Sequence, residues 1–179
     1  MGTTTLAKAR TDRQYRGSDE RYTPPWLLER VTAFLGPGWF DPCPRSYGAA
    51  PAVNGLAISW QGRVFCNPPY SRMGPWVAKF CGESFREGLL LTLAYTDTRW
   101  FQPLFDYIIL FPQGRICFLD ATGRAMNRPP FGSALVYRGR RQTAFARAFG
   151  DMGAIVRRSP QSVRRPDLWT PASVEAVSA

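Results

Sequence analysis

Apolar and polar positions alternate along the chain in short blocks, and each block predicts an element. Residues 1–18 are polar, basic and aperiodic and read as a flexible arm. In "TPPWLLERVTAFLG", Leu27, Leu28, Val31, Phe34 and Leu35 fall on one face at helical spacing. Thr23 is the expected N-cap, Pro24 the first-turn residue and Gly36 the residue just past the end. "WFDPCP" predicts a short strand ending at Asp41, and residues 44–61, rich in Gly, Ala and Pro, predict a loop. "RVFC" is a strand ending at Asn67, followed by an amphipathic helix in "PWVAKFCGESF" closed by Gly88. "LLLTLAY" is an unbroken apolar run, the kind of strand buried on both faces of a parallel sheet.

The second half reads as mostly strands. "TRWFQPLF" predicts a broken helical turn, and "YIILF", "RICFL" and "SALVYR" predict strands, the last two joined by the loop "DATGRAMNRPPFG". "RQTAFARAF" is a helix and "AIVRR" a last strand; from Ser159 onward the Pro, Ser and Arg-rich tail has little periodicity. The expected organisation is one folded domain over residues 19–157, between an arm (1–18) and a tail (158–179). The expected fold class is α/β, a mostly parallel sheet with helices on both faces and an antiparallel edge.

Composition adds a partner. The chain has 179 residues, enough to bury a core without disulfides or metals, and 45% of them are apolar. Its net charge is +10, and of 23 basic residues only Lys8 and Lys79 are lysines. Arginine makes planar bidentate contacts with phosphate and stacks on bases, so a polyanion such as DNA or RNA is the expected partner. The four cysteines, Cys43, Cys66, Cys81 and Cys117, include no CxxC pair, and no metal site is expected. Cys66 and Cys117 lie in apolar runs and are expected as buried, reduced thiols of a cytoplasmic protein. The N-terminus lacks the apolar stretch of a signal peptide, and no apolar run is long enough to cross a bilayer, so no membrane partner is expected. The chain has no histidine, which excludes Ser-His and Cys-His nucleophile pairs. Oligomeric state is not legible in the chain.

The stretch "RVFCNPPYS" concentrates the candidate chemistry. Two consecutive prolines fix two φ angles and remove two backbone donors, so strand pairing stops at Asn67. Ligands of open α/β sheets sit beyond the carboxyl ends of strands, which is where Asn67, Pro68, Pro69 and Tyr70 fall. A stiff turn lets the Asn67 amide oxygen and the Pro68 carbonyl converge on one point. Two such acceptors suit an exocyclic amine, each taking one N–H and leaving the nitrogen lone pair free. Tyr70 offers a flat face on which a base can stack, worth about 1–3 kcal/mol, and a base flipped out of a duplex fits this arrangement.

"NPPY" resembles the catalytic motif of amino-methyltransferases. The order "YTP", "DPC", "NPPY" resembles N6-adenine DNA methyltransferases, and the layout "DPC…NGLAISWQGRVFCNPPYS…PWVAKF…TDTRWF…GRICF…RPPFGSALVY" is similar to the compact phage and prophage members of that group. The resemblance runs from about Tyr22 to Arg138 and implies a trimmed Rossmann-like methyltransferase fold. It also implies S-adenosylmethionine as cofactor and transfer of a methyl group to the N6 amine of adenine in DNA. Asn67 and Pro68 would then accept the N6 hydrogens, within a catalytic turn that includes Pro69, and Tyr70 would stack on the base. Asp41, with Cys43 in "DPC", matches the acidic position that anchors the cofactor's amino group. Tyr22, Thr23 and Pro24 match the segment that holds its methionine end.

The residues also depart from larger methyltransferases. No Gly-x-Gly follows "DPC", where only Gly48 and Gly55 occur, and too little chain separates Asp41 from Arg63 for a strand carrying a ribose-binding carboxylate. Asp97, in "TDTRWF" after a strand end, is a candidate cofactor ligand or a structural cap. Arg72, Arg99, Arg124 and Arg128 lie in loops within reach of phosphates. Methylation of RNA or of a protein glutamine, and a non-catalytic nucleic-acid-binding derivative of the fold, remain the alternatives at this level.

Overall fold

A computed structural model describes residues 21–44, 54–127 and 129–159. The basic arm, Gly48, Arg128 and the tail beyond Ser159 lie outside the described residues. The elements are α1 (Pro25–Leu35), β1 (Arg63–Cys66), α2 (Met73–Gly82), β2 (Glu87–Leu93), β3 (Ile108–Pro112), β4 (Ser133–Arg138), α3 (Gln142–Phe149) and β5 (Gly153–Val156). Three single 3-10 turns join them at Tyr70–Arg72, Gln102–Asp106 and Gly150–Met152.

The strands form one five-stranded sheet in the order β1-β2-β4-β3-β5. Only β1 and β2 pair in parallel; β2 with β4, β4 with β3, and β3 with β5 are antiparallel. The expected mostly parallel sheet is therefore corrected to a mixed, mostly antiparallel one. The apolar runs that suggested parallel strands are buried on both faces because helices cover both faces, whatever the strand direction. The chain from β3 to β4 returns through residues 113–132 with no helix among the described residues, so it re-enters the sheet running the opposite way. Outside the five strands, Phe40 makes a parallel bridge to Val64, with Phe40 N donating to Arg63 O (2.7 Å) and Phe65 N to Phe40 O (3.0 Å). The strand expected in "WFDPCP" is this bridge alone.

Adjacent residues of β4 show the two layers. Tyr137 stacks on Phe145 of α3 at 5.3 Å and meets Phe34 of α1 edge-on at 5.1 Å. Its neighbour Arg138 must point the other way across the pleat, and its Nη1 donates to the Phe80 and Glu83 carbonyls at the end of α2 (2.6 and 2.7 Å). So α1 and α3 cover one face and α2 the other, as expected. The Glu83 N–H closes α2 on the Lys79 carbonyl, so the helix stops before the expected Gly88. Gly88 instead sits in β2, where a Cβ would lie 2.8 Å from the Phe85 ring.

Two further expectations shift. Helix α1 starts at Pro25, with Pro24 as its extended cap residue and Leu27 N and Leu28 N bonded to the Pro24 carbonyl. A residue before proline is driven out of the helical region, which displaces the start by one residue and releases Thr23 from capping. Gly36 does end the helix, at φ +84°. "RICFL" is not a strand: Ile116 and Phe118 are buried and Cys117 is exposed, and only Leu119 makes bridges, to Tyr22 and Ala125. Cys117 is thus not the buried thiol its apolar neighbours suggested.

Candidate active site

Strand β1 delivers Cys66 and then Asn67 to the carboxyl end of the parallel part of the sheet. The bridge at Phe40 runs in the same direction one position outward, so Asp41, Pro42 and Cys43 leave the sheet at that same end. Cys43 Sγ lies 3.5 Å from Cys66 Sγ, both buried, which fixes the "DPC" triplet against the end of β1. Burial pushes the Cys66 thiol well above its usual value, and the nearby Cys43 and Asp41 push the same way. It therefore stays protonated and does not serve as a nucleophile. The half-buried Asp41 accepts the Cys43 N–H on Oδ1 (2.8 Å), closing the turn. Gly55 presses on this turn: a Cβ there would lie 1.9 Å from the Pro42 carbonyl oxygen. Of the two glycines in this loop, Gly55 thus has a packing role, whereas Gly48 lies outside the described residues.

Asn67 is buried, with 8% of its surface exposed. Its Nδ2 donates to the Arg21 carbonyl (3.1 Å) and to Thr23 Oγ1 (3.0 Å). A backbone carbonyl can only accept, so the nitrogen of the amide must face it and the oxygen must face away. Asn67 Oδ1 is buried and accepts no hydrogen bond from the described residues. Leaving a buried carbonyl oxygen unsatisfied costs about 1–3 kcal/mol, and such an atom calls for an explanation.

The segment carrying Arg21 and Thr23 is held from outside. Tyr22 exchanges both backbone hydrogen bonds with Leu119 (2.9 and 3.0 Å). The loop beyond Leu119 is shaped by Asp120, whose Oδ1 accepts Thr122 N, Thr122 Oγ1 and Arg124 N (2.8, 2.7 and 3.0 Å). The Thr122 hydroxyl, with the Arg124 amide, holds this carboxyl below its usual value.

Tyr70 opens the 3-10 turn after the prolines and is 4% exposed. Its ring meets Phe118 edge-on at 5.8 Å and Phe131 at 6.5 Å, and Phe131 meets Tyr95 at 6.0 Å. The Arg21 guanidinium lies over this cluster, 5.9 Å from the Tyr70 and Phe118 ring centres and 5.2 Å from that of Phe131. Arg21, Phe118 and Phe131 were not singled out from sequence. Phe118 hid in an apparent strand, Phe131 in a loop, and Arg21 among many other arginines; its place beside "YTP" was the one available signal.

Of the sequence candidates, the fold joins Thr23 to Asn67 by a hydrogen bond and sets Pro24 directly after Thr23 as a buried residue. Asp41 and Cys43 sit at the same sheet end, and Pro68 is buried beside Asn67. Asp97 is exposed in the turn after β2, and no described hydrogen bond or ion pair ties it to this group. Arg72, Arg99 and Arg124 are exposed.

The chain matches the model of the DNA N-6-adenine-methyltransferase (Dam) family over residues 40–150. It belongs to that family. Comparison with curated proteins gives no match. This Dam-family enzyme transfers a methyl group to the N6 amine of adenine in DNA. The matched span contains Asp41, Cys43, the Asn67–Tyr70 turn, Phe118 and Phe131, and begins after Arg21, Tyr22 and Thr23. No helix among the described residues of this methyltransferase is long and apolar enough to cross a membrane.

Proposed function

We propose that Asn67–Tyr70 is the site where the target adenine is held, and that S-adenosylmethionine is the methyl donor. The observation that carries this reading is the buried, oriented and unsatisfied Asn67 Oδ1. An adenine amine placed there donates one N–H to Asn67 Oδ1 and the other to the Pro68 carbonyl, which leaves the N6 lone pair exposed for attack. Pro69 keeps the turn rigid. Neither acceptor needs to change protonation, which agrees with a chain that has no histidine. Tyr70 receives the base on its ring face, where the base takes the place of the Arg21 guanidinium.

The donor set at the sheet end fits the cofactor. Asp41 is a partly exposed carboxylate at the end of the Phe40 bridge, suited to the cofactor's ammonium, and it is positioned by the Cys43 amide. Cys43, Tyr22 and Pro24 are the further candidates at this end, and Asp97, exposed in the turn after β2, is another. When bound, the cofactor supplies an electrophilic methyl group on a sulfonium, whose leaving group is a neutral thioether. We read the sheet as a trimmed Rossmann-like methyltransferase core within residues 19–157, of the compact phage or prophage type, acting in the cytoplasm where its DNA lies.

Mapping N6-methyladenine in DNA from cells that express the protein, beside cells expressing Asn67→Ala, tests the assignment. Methylated adenines should appear with the wild type and vanish with the variant. Methylation that persists in the variant would remove Asn67 from the site.

A further inference from the structure

We infer that Thr23 is a positioning residue that aims Asn67 at the adenine amine. The inference rests on the proposed role of Asn67. It departs from the sequence expectation, which gave Thr23 to the methyl donor. Both protons of the Asn67 amide nitrogen have acceptors, the Arg21 carbonyl at 3.1 Å and Thr23 Oγ1 at 3.0 Å. One bond alone would let the amide pivot about it; two bonds to one nitrogen set the plane of the amide as well as its direction. The carboxamide oxygen is thereby held in a buried position with no partner among the described residues.

Thr23 can hold this position because its backbone is anchored on both sides. Tyr22 is bridged to Leu119, and the Pro24 carbonyl accepts the first amides of α1 from Leu27 and Leu28. The Pro24-Pro25 pair shifts the helix start and thereby leaves the Thr23 hydroxyl available. Preorganising an acceptor before the substrate arrives is where such a residue contributes to rate, because the amide need not reorient as the base enters.

The test uses the full chain and DNA free of N6-methyladenine. Thr23→Val removes the acceptor and keeps the side-chain shape. Loss of one neutral hydrogen bond predicts a threefold to tenfold fall in single-turnover rate. Cofactor affinity by calorimetry and DNA affinity should each stay within twofold. Thr23→Ser should restore at least half of the wild-type rate, and Thr23→Val added to Asn67→Ala should cause no further loss. If Thr23→Val does not fold, Thr23→Ala replaces it in each comparison. An unchanged rate, or a cofactor affinity weakened fivefold or more, would overturn the positioning role. Full activity of Asn67→Ala would instead overturn the reading of the site itself, so the two failures are distinguishable.

Discussion

Two buried polar side chains sit at opposite ends of the sheet and have opposite surroundings. Glu87 opens β2 at one end, and Asn67 follows β1 at the other. The Glu87 carboxylate accepts Tyr137 Oη (2.7 Å), Arg141 Nε (3.0 Å) and Arg141 Nη2 (2.9 Å). Arg141 also donates to the Phe34 carbonyl (2.9 Å) and lies over the Phe34 ring at 4.5 Å, while Tyr137 Oη accepts the Arg141 amide (3.0 Å). These groups tie β2, β4, α1 and the start of α3 together. Asn67 has both amide protons bonded and its oxygen unsatisfied. The fold saturates the polar group that ties its elements together, and on the proposed reading the atom it leaves unsatisfied is the one that meets the adenine amine. Burial alone does not separate them, at 5% and 8% exposed.

The sharpest way to break this comparison is Asn67→Ala. Removing one oriented contact to the reacting group typically lowers the rate ~10²–10³-fold. Unfolding free energy should stay within about 1 kcal/mol of wild type, since the partners left behind, the Arg21 carbonyl and Thr23 hydroxyl, lie on half-buried residues. Turnover above a tenth of wild type, measured beside a denaturant curve, would make Asn67 another structural amide.

Glu87→Ala should give the reverse pattern. It breaks a buried ion pair, which costs about 3–5 kcal/mol when both partners are enclosed; with 45% of the Arg141 side chain exposed, about 3 kcal/mol is expected. Methyl transfer per folded molecule should be unchanged. A loss of rate without loss of stability would undo the contrast between the two ends.

Asp41→Asn comes next. If Asp41 pairs with the cofactor's ammonium, affinity by calorimetry should weaken by about 1.5–3 kcal/mol, the range for hydrogen bonds to a charged group. DNA affinity without cofactor should not move. Equal cofactor affinity would make Asp41 a structural residue that accepts the Cys43 amide.

The smallest effect is in pH. Burial alone would push the Glu87 carboxyl up, but hydrogen bonds from Arg141 and Tyr137 prevail and hold it below its usual value. Its stabilisation is therefore present above the usual carboxylate range and is lost as pH falls through the lowered value. Burial, reinforced by Glu87, pushes Tyr137 up to about 12. Its share is present below the ordinary phenol value of about 10 and is lost as pH rises toward 12. Denaturation between pH 8 and 12 should show stability falling above about pH 10, more shallowly in Tyr137→Phe. Identical slopes would mean that Tyr137 does not titrate with folding.

Local sequence determined a good deal. The helices α1, α2 and α3 and the strands β1 to β5 follow from apolar spacing, because a period of 3.6 or 2 is set within one element. The turn of Asn67–Tyr70 at a strand end was legible as well, since two prolines stop a strand wherever it lies. Strand direction was not: β2, β3 and β4 each carry an unbroken apolar centre, and such runs show the same pattern whichever way they pair. The exposure of Cys117 and the one-residue shift of the helix start at Pro24 were equally hidden, one set by which neighbours arrive and the other by two adjacent prolines acting together. Above all, Thr23 and Asn67 are 44 positions apart. A sequence pattern can name both, but only the fold decides that the hydroxyl meets the amide nitrogen, because that contact depends on Tyr22 pairing with Leu119. The chain alone supplied the candidate groups, and the tertiary structure determined which atom of Asn67 is bonded by the fold and which is left without a partner among the described residues.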